Sequence, residues 1–187
     1  NEDITPPFYL PFLMHMELTG PVDQEARKLI TQHCKLVKFK KGDRLLSIGS
    51  VCKFVYFIIS GECISYYTDK SGKTKTWFFH FHQPESNVKN LFAVDYNSFI
   101  SAKPSSISIE ALSPVTAIRF SVKDVQILKQ GSRSVERWLD NLNEQAYIQT
   151  HERITTLLTL SAEERYKKLL DIEPYLLMMF SNYLVAT

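Results

Sequence analysis

The sequence predicts an α+β fold in which a small antiparallel β sandwich or barrel is followed by helices. Two observations support this prediction. Between about residues 36 and 120, short runs of Val, Ile, Phe and Tyr alternate with turns that contain Gly, Asp or Ser. From Val122 onward Pro and Gly become rare, and Lys, Glu, Gln and Leu recur with the spacing of a helix.

Turn residues divide the β-rich part at the points where its apolar runs stop. Gly42 and Asp43 interrupt the first run, and Gly61 permits a positive φ between VYFII and CISYY. The motif TDKSGK is a hairpin-turn signal. The clearest predicted strands cover residues 36–40, 55–60, 63–68, 75–81, 106–112 and 116–121.

Helices are expected on both sides of this β-rich part. Asp23 is placed to cap a short helix that ends near His33. Ser121 or Ser134 can cap the helices that follow, and SAEE at residues 161–164 is typical of a capping box.

A final apolar segment, residues 175–186, is predicted to form a helix after Pro174. Leu176 and Phe180 belong to this segment, which carries too much apolar surface for a free tail. We therefore expect it to be covered, either by the preceding helix or by residues outside this sequence.

The helical part between residues 126 and 160 carries side chains that alternate spacings of four and three, as in a helix that packs along one face. Self-association of two chains along this face is one interpretation, and packing of the helix on its own barrel is the other. The predicted dimer residues are Val135, Trp138, Leu139, Leu142, Ala146 and Gln149.

The composition of the chain limits which classes of partner and cofactor are expected. The 187 residues are 44% hydrophobic and 22% charged with a net charge of +2, so charge argues neither for nor against a nucleic-acid partner. No apolar run reaches the roughly 20 residues that a membrane span needs, so no membrane partner is expected. The three cysteines lack metal-site spacing, which favours buried thiols in a reducing cytoplasm, and no cofactor is expected.

The order of N-terminal helix, β-roll, long helix and short helices resembles the cyclic-AMP receptor protein and Fnr family of bacterial transcription regulators. FKKGDRLLSIGSVCKFVYFIISGECISYY is similar to the opening of that family's roll, and SIEALSPVTAIRFS to its closing strands. AEERYKKLLDIEPYLLMMFSNYLVAT resembles the approach to its winged helix-turn-helix. The resemblance implies a double-stranded β-helix, that is a jelly-roll-like β-roll, with flanking helices, a long dimerisation helix and the first helices of a partial winged helix-turn-helix.

The resemblance also implies function: a homodimeric regulator that senses an effector and binds promoter DNA. It implies a sensor domain over residues 1–125, a linking and dimerisation helix over 126–160, and the start of a DNA-binding domain over 161–187. The sequence stops at Thr187, before the turn that would precede a recognition helix, so no DNA-binding residue is named. The alternative is a stand-alone sensor or interaction module of the same class without DNA binding.

In nucleotide-binding members of that family, a short helix and loop hold the phosphate with backbone amides, an arginine and a carboxylate. No arginine lies between Arg44 and Arg119 here, so we expect a different small anionic effector, or none, rather than cyclic AMP. The other interpretation of this segment is a plain surface loop. The candidate ligand-binding residues are Asp95, Tyr96, Asn97, Ser98, Lys103, Ser105 and Ser106.

Two other groups of residues are possible functional sites, and for neither of them is this the preferred interpretation. His80 and His82 share one face of a strand and could hold a metal, but a solvent-facing strand edge is the preferred interpretation and no metal is expected. The aromatic run of Trp77, Phe78, Phe79 and Phe81 is expected to pack inside the barrel. A nucleophile elbow and a glycine-rich phosphate loop are both missing from the sequence, so an enzyme is not expected.

Overall fold

The computed structural model describes residues 5–82, 91–181 and 185. Its helices and strands follow the order that the sequence predicts. After a short 3-10 turn, the helices are α1 (Leu10–Glu17), α2 (Gln24–His33), α3 (Tyr96–Ser101), α4 (Val122–Gly131), α5 (Arg133–Thr159), α6 (Ala162–Ile172) and α7 (Pro174–Met179). The strands are β1 (Lys35–Phe39), β2 (Arg44–Leu46), β3 (Phe54–Ser60), β4 (Glu62–Thr68), β5 (Thr74–Phe81), β6 (Phe92–Ala93), β7 (Ile107–Ala111) and β8 (Val115–Ser121).

Two four-stranded antiparallel sheets form the β part. One sheet has the order β1-β8-β3-β6 and the other β2-β7-β4-β5. Every strand pair within them is antiparallel, and buried residues of both sheets join one hydrophobic core. The α+β prediction is confirmed, and the roll arises because each strand turns one face inward.

The six strands expected from alternation are all present, with ends that differ by at most one residue. The short strands β2 and β6 are additional to them. Gly61 stands between β3 and β4 with φ of +85°, and an added Cβ would lie 2.2 Å from the carbonyl oxygen of Pro114. Only glycine fits this turn, which fixes the register of the two strands.

The helices close one side of the roll through an aromatic cluster. The ring of Phe12 on α1 lies 5.1 Å from that of Phe57 on β3 and 5.1 Å from that of Trp138 on α5. The Trp138 indole donates a hydrogen bond to Nδ1 of His15 at 3.0 Å, so its polar atom is satisfied. The first turns of α5 are therefore part of the core that they share with the roll.

A polar cluster fixes where α5 begins. Ser132, rather than the expected Ser134, caps α5, and its Oγ donates to Oδ2 of Asp23 at 2.8 Å. Ser134 lies inside the first turn, where its N–H donates to the same oxygen of Asp23 at 3.2 Å. Asp23 also caps α2, as predicted, by accepting from Ala26 N–H at 2.7 Å.

The stretch expected as one linking helix, residues 126–160, is two helices, because α4 ends at Gly131 and α5 starts after Ser132. The boundary expected at residue 125 consequently falls inside α4. The caps predicted at Ser121 and Ser161 are both confirmed as capping boxes.

The apolar C-terminal segment is covered by the roll itself. Leu176 and Phe180 are buried in a second cluster with Phe79 and Phe81 of β5. Phe79 and Phe81 therefore pack under α7 rather than inside the roll, because their side chains alternate with the inward-facing His80. The helix predicted over 175–186 ends at Met179 within the described residues, and residues 182–184, 186 and 187 lie outside them.

Candidate functional site

The candidate effector segment is a short helix, α3, followed by a turn that leads into β7. Asp95 caps α3 by accepting a hydrogen bond from Ser98 N–H at 3.2 Å through Oδ1. Its other oxygen accepts from Ser105 Oγ at 2.6 Å. One carboxylate thus joins the start of the helix to Ser105, two residues before β7.

The two buried serines of this segment are engaged within the chain. Ser98 Oγ donates to the carbonyl oxygen of Lys103 at 2.6 Å and accepts from Cys52 N–H at 2.9 Å. Ser105 Oγ also accepts from Ile107 N–H at 3.1 Å. Both hydroxyls hold the loop in place, so neither is a free donor for a ligand.

The remaining candidates of the segment face solvent. Tyr96, Asn97, Lys103 and Ser106 are exposed. The Tyr96 hydroxyl donates to Oδ1 of Asn143 on α5, which joins the segment directly to the long helix. The structure brings the predicted residues together, with a carboxylate rather than a cation at the start of α3.

Tyr67 and Cys52 also lie next to this segment, and the sequence analysis did not include them among the candidate ligand-binding residues. Burial raises the pKa of Tyr67, the charge of Asp95 raises it further, and a hydrogen bond with Ser106 lowers it. Burial likewise raises the pKa of Cys52. Strand alternation gives a signal for Tyr67, since Tyr67 pairs with the inward-facing Ile107.

The residues predicted for the dimer contact face their own chain. Val135 is fully buried and Trp138 is 2% exposed, both in the core that they share with the roll. Leu139 and Leu142 pack against that same core, and Ala146 is half-buried, as is Gln149. Val135 and Trp138 are thus covered by their own chain, and the assignment of these residues to a dimer contact stays a prediction, because helical spacing identifies a buried face without identifying what covers it.

A different stripe of α5 is exposed. Tyr147 is 72% exposed and Leu158 is 80% exposed, and Ile154 lies between them at 45%. His151 completes a set spaced four, three and four residues apart, with its ring 6.2 Å from that of Tyr147. This stripe, residues 147, 151, 154 and 158, is part of the apolar surface that the long helix leaves uncovered, to which Ile148 and Leu157 also belong.

His80 is buried, which corrects its expected place on a solvent-facing edge. Its Nε2 lies 3.0 Å from Ser65 Oγ, and it is 4% exposed. It pairs across the sheet with Cys63, a core residue, so its side chain turns inward. Burial lowers the pKa of His80 to about 4, against an opposing hydrogen bond with the Phe92 backbone.

Metal-ligand geometry is not found in the part of the chain that the structure describes. No group of three or more His, Cys, Asp or Glu side chains is close enough there to hold an ion. The three cysteines are free and buried, as predicted, and burial raises the pKa of Cys34 and of Cys63 to about 12. Among the described residues, no helix has both the length and the apolar character to cross a membrane.

The guanidinium of Arg153 connects the far half of α5 to the roll. Its NH2 group donates to the carbonyl oxygen of Thr76 on β5 at 3.1 Å. Burial lowers the pKa of Arg153, and the nearby charge of Arg165 lowers it further. Both ends of α5 are thus joined to the β part, by Trp138 and by Arg153.

Solved structures share this architecture. The catabolite activator protein of Thermus thermophilus is 16% identical, with a TM-score of 0.61 over 84% of this chain and 71% of that one. The sensor domain of the regulator DNR from Pseudomonas aeruginosa is 19% identical, with a TM-score of 0.57 over 81% and 95%. The regulatory domain of Toxoplasma gondii PKA, solved with cAMP, is 14% identical, with a TM-score of 0.56 over 74% and 48%.

At these identities the likenesses establish the fold. No curated protein matches the sequence. Residues 36–132, which run from β1 to the cap of α5, match the cyclic nucleotide-binding domain. That match spans more than half of the chain, and the protein belongs to the cyclic nucleotide-binding domain family.

Proposed function

We propose that the chain is the sensor and connecting part of a transcription regulator of the cyclic-AMP receptor protein and Fnr class. The order of parts is the observation that carries the proposal: a roll, a helix of 27 residues, and a helix opened by a capping box. The likeness to the Thermus thermophilus protein extends over 84% of this chain, which is more than the roll alone. The family itself indicates a regulatory role rather than a catalytic one.

The proposal divides the chain by function. Residues up to α4 form the sensor, α5 connects and pairs two chains, and α6 with α7 begins a helix-turn-helix domain that binds promoter DNA. We place this regulator in the cytoplasm, where its three buried thiols stay reduced.

Homodimer formation belongs to the same proposal, but through the exposed stripe of α5 rather than through the residues first predicted. Tyr147, Ile154 and Leu158 are exposed apolar side chains at helical spacing in the half of α5 that extends away from Val135 and Trp138. Burial of this stripe against a second copy would remove it from water at about 25 cal/mol per Å². The buried stretch around Val135 then serves as the fixed base from which the helix extends.

The roll is proposed to take a small anionic effector other than cyclic AMP, or to act without one. Asp95 places a negative charge at the start of α3, and its oxygens already accept from Ser98 and Ser105. A cyclic phosphate in this place would meet that charge without an arginine to offset it. Calorimetric titration with cyclic AMP and cyclic GMP tests this: no heat of binding is expected, and micromolar affinity would contradict it.

A signal from this segment would travel through α5. The Tyr96 hydroxyl on α3 donates a hydrogen bond to Asn143 on α5. A change in the position of α3 would therefore be transmitted to α5 through this contact. An effector shifts the helix only if it binds one arrangement better than the other. The result would be a changed spacing of the two DNA-binding units of a dimer.

The test is electrophoretic binding of the full-length gene product to its own promoter, with and without candidate effectors. A retarded, sequence-specific complex supports the regulator. The absence of such a complex, together with effector binding, would favour the second candidate, a stand-alone sensor module. The fold likeness to the kinase regulatory domain of Toxoplasma gondii favours keeping that second candidate.

A further inference from the structure

A cavity of about 270 Å³ lies outside the candidate effector segment. It is formed where α2 ends, β1 begins, β8 ends and α4 begins. Its lining includes the basic side chains of Lys35 and Arg119 together with His33, and none of residues 95–106. The cavity is therefore separate from the Asp95 cluster.

Lys35 and Arg119 stand directly opposite each other in the ladder between β1 and β8. Opposite residues of an antiparallel pair have Cβ atoms about 5 Å apart, and like charges there are unfavourable. Neither side chain forms an ion pair with an acid in the part of the chain that the structure describes. Among the described residues, these two adjacent cations thus have no ion-pair partner at their wall of the cavity.

The guanidinium of Arg119 is held in place by an aromatic ring. Its Cζ lies 4.3 Å from the centroid of Phe54, which also lines the cavity. Stacking on a ring face fixes the plane of the guanidinium and leaves its N–H groups at the edge free to donate. Arg119 is half-buried, so part of its hydration is already lost before any ligand arrives.

Asp124 also lines the cavity, but its carboxylate is engaged elsewhere. Its Oδ2 accepts from the N–H and the Oγ of Ser121, each at 2.7 Å, in the capping box of α4. Its Oδ1 lies 3.6 Å from Nδ1 of His33. Asp124 is thus occupied with Ser121 and His33, and it forms no ion pair with Lys35 or Arg119.

We infer that this cavity binds a small phosphate-bearing anion, held by Lys35 and Arg119 opposite each other on β1 and β8. A dianion matches two cations, and an arginine fork with a lysine is a pairing that suits phosphate oxygens. The volume exceeds that of inorganic phosphate, and Phe54 supplies an apolar wall, so a phosphate monoester fits as well. This site is independent of the DNA-binding proposal and of the effector segment.

The test replaces chloride with inorganic phosphate at constant ionic strength and follows the 187-residue chain by calorimetry and by amide chemical shifts. Saturable binding is expected, with a Kd of about 1 mM or tighter. Shifts are expected at Gln32, Lys35, Phe54 and Ser121. Phenyl phosphate, a monoester probe, would bind more tightly than inorganic phosphate if the natural ligand is an ester and equally if it is the free ion.

Substitutions of Lys35 and Arg119 test whether these two side chains bind the phosphate. Arg119→Gln and Lys35→Gln should each weaken phosphate binding about tenfold or more, as expected for loss of a charged hydrogen bond. Lys38→Gln is the matched control, since Lys38 is exposed on the same strand but on its opposite face. Lys35 is itself exposed, so its variant folds even where Arg119→Gln does not.

Three results would overturn the inference. The first is a response to phosphate that never saturates. The second is a loss of affinity in Lys38→Gln equal to that in Lys35→Gln, which would indicate general surface charge. The third is a set of shifts confined to residues 95–106, which would move the anion to the segment around Asp95.

Discussion

The aromatic rings of Phe79 and Phe180 are stacked, with centroids 4.1 Å apart and planes inclined by 21°. Phe79 belongs to β5 and Phe180 directly follows α7, so this contact holds the C-terminal helices on the outer face of one sheet. Because β5 also carries Thr76, the acceptor for Arg153, one strand contacts both α5 and α7.

Phe180→Ala should release α7 from the sheet. Truncation of a buried phenylalanine removes about 3 kcal/mol of packing, and Leu176 is then the remaining buried side chain that α7 contributes to this cluster. Amide hydrogen exchange over residues 162–179 is expected to quicken, while exchange in the roll stays the same. Met178→Ala is the control, because Met178 is 82% exposed on the same helix. Equal protection in both variants would contradict the docking of α7.

His80 makes the stability of the roll depend on mild acid. Burial lowers the pKa of His80 to about 4, whereas an unfolded histidine titrates near about 6.5. The unfolded chain therefore binds the extra proton first, and stability falls as pH drops from about 6.5 towards 4, by about 3 kcal/mol in total. Denaturant unfolding of the wild type against His80→Gln measures the difference.

The matched control for His80 is His82→Gln, since His82 is exposed two residues along the chain. The wild type and His82→Gln should lose stability in parallel through this pH window, and His80→Gln should lose less. If all three chains follow the same curve, His80 is not buried in its neutral form.

Leu158→Lys should weaken self-association. Leu158 is 80% exposed at the end of the α5 stripe, and a charge there would be desolvated in a contact between two copies. Sedimentation equilibrium is expected to show a homodimer for the wild type and a dissociation constant at least about tenfold higher for the variant. Met178→Lys places the same charge at a similarly exposed site outside α5. A monomeric wild type, or an equal effect of both variants, would remove α5 as the dimer contact.

Asp95→Ala separates a structural role from a ligand-binding role. The variant loses the cap of α3 and one of the two acceptors within reach of Ser105 Oγ, the other being the carbonyl oxygen of Ile107, so the free energy of unfolding should fall by about 1–2 kcal/mol. Asn97→Ala, an exposed change in the same helix, should cost far less. Thermal unfolding without any ligand is the measurement, and equal stabilities of the two variants would indicate that Asp95 is kept for ligand contact alone.

The parts of the fold that depend on interactions between residues close in sequence could be predicted from the sequence. Gly61 and the Ser161 capping box mark element ends through backbone geometry and short-range hydrogen bonds, and both predictions are confirmed. The choice between Ser132 and Ser134 is different. Both can cap a helix, and Asp23, more than a hundred residues away in sequence, contacts both of them in the structure.

The direction in which a helix or strand face points is the part that periodicity leaves open. Spacing identified the apolar face of α5 correctly, but Val135 and Trp138 are covered by the roll of the same chain. In the same way, we expected Phe79 inside the barrel and His80 at a solvent-facing edge, whereas His80 turns inward and Phe79 packs under α7. The pairing partners across the sheet decide it, and those are set by the tertiary fold.

The binding of the full-length gene product to a duplex from its own promoter, compared with a scrambled duplex at physiological salt, tests the central claim most directly. Fluorescence anisotropy is expected to give an affinity for the promoter at least about 10³ times that for the scrambled sequence, as for specific DNA-binding proteins. Equal affinity for the two duplexes, or no binding to either, would contradict the assignment of this chain to a transcription regulator.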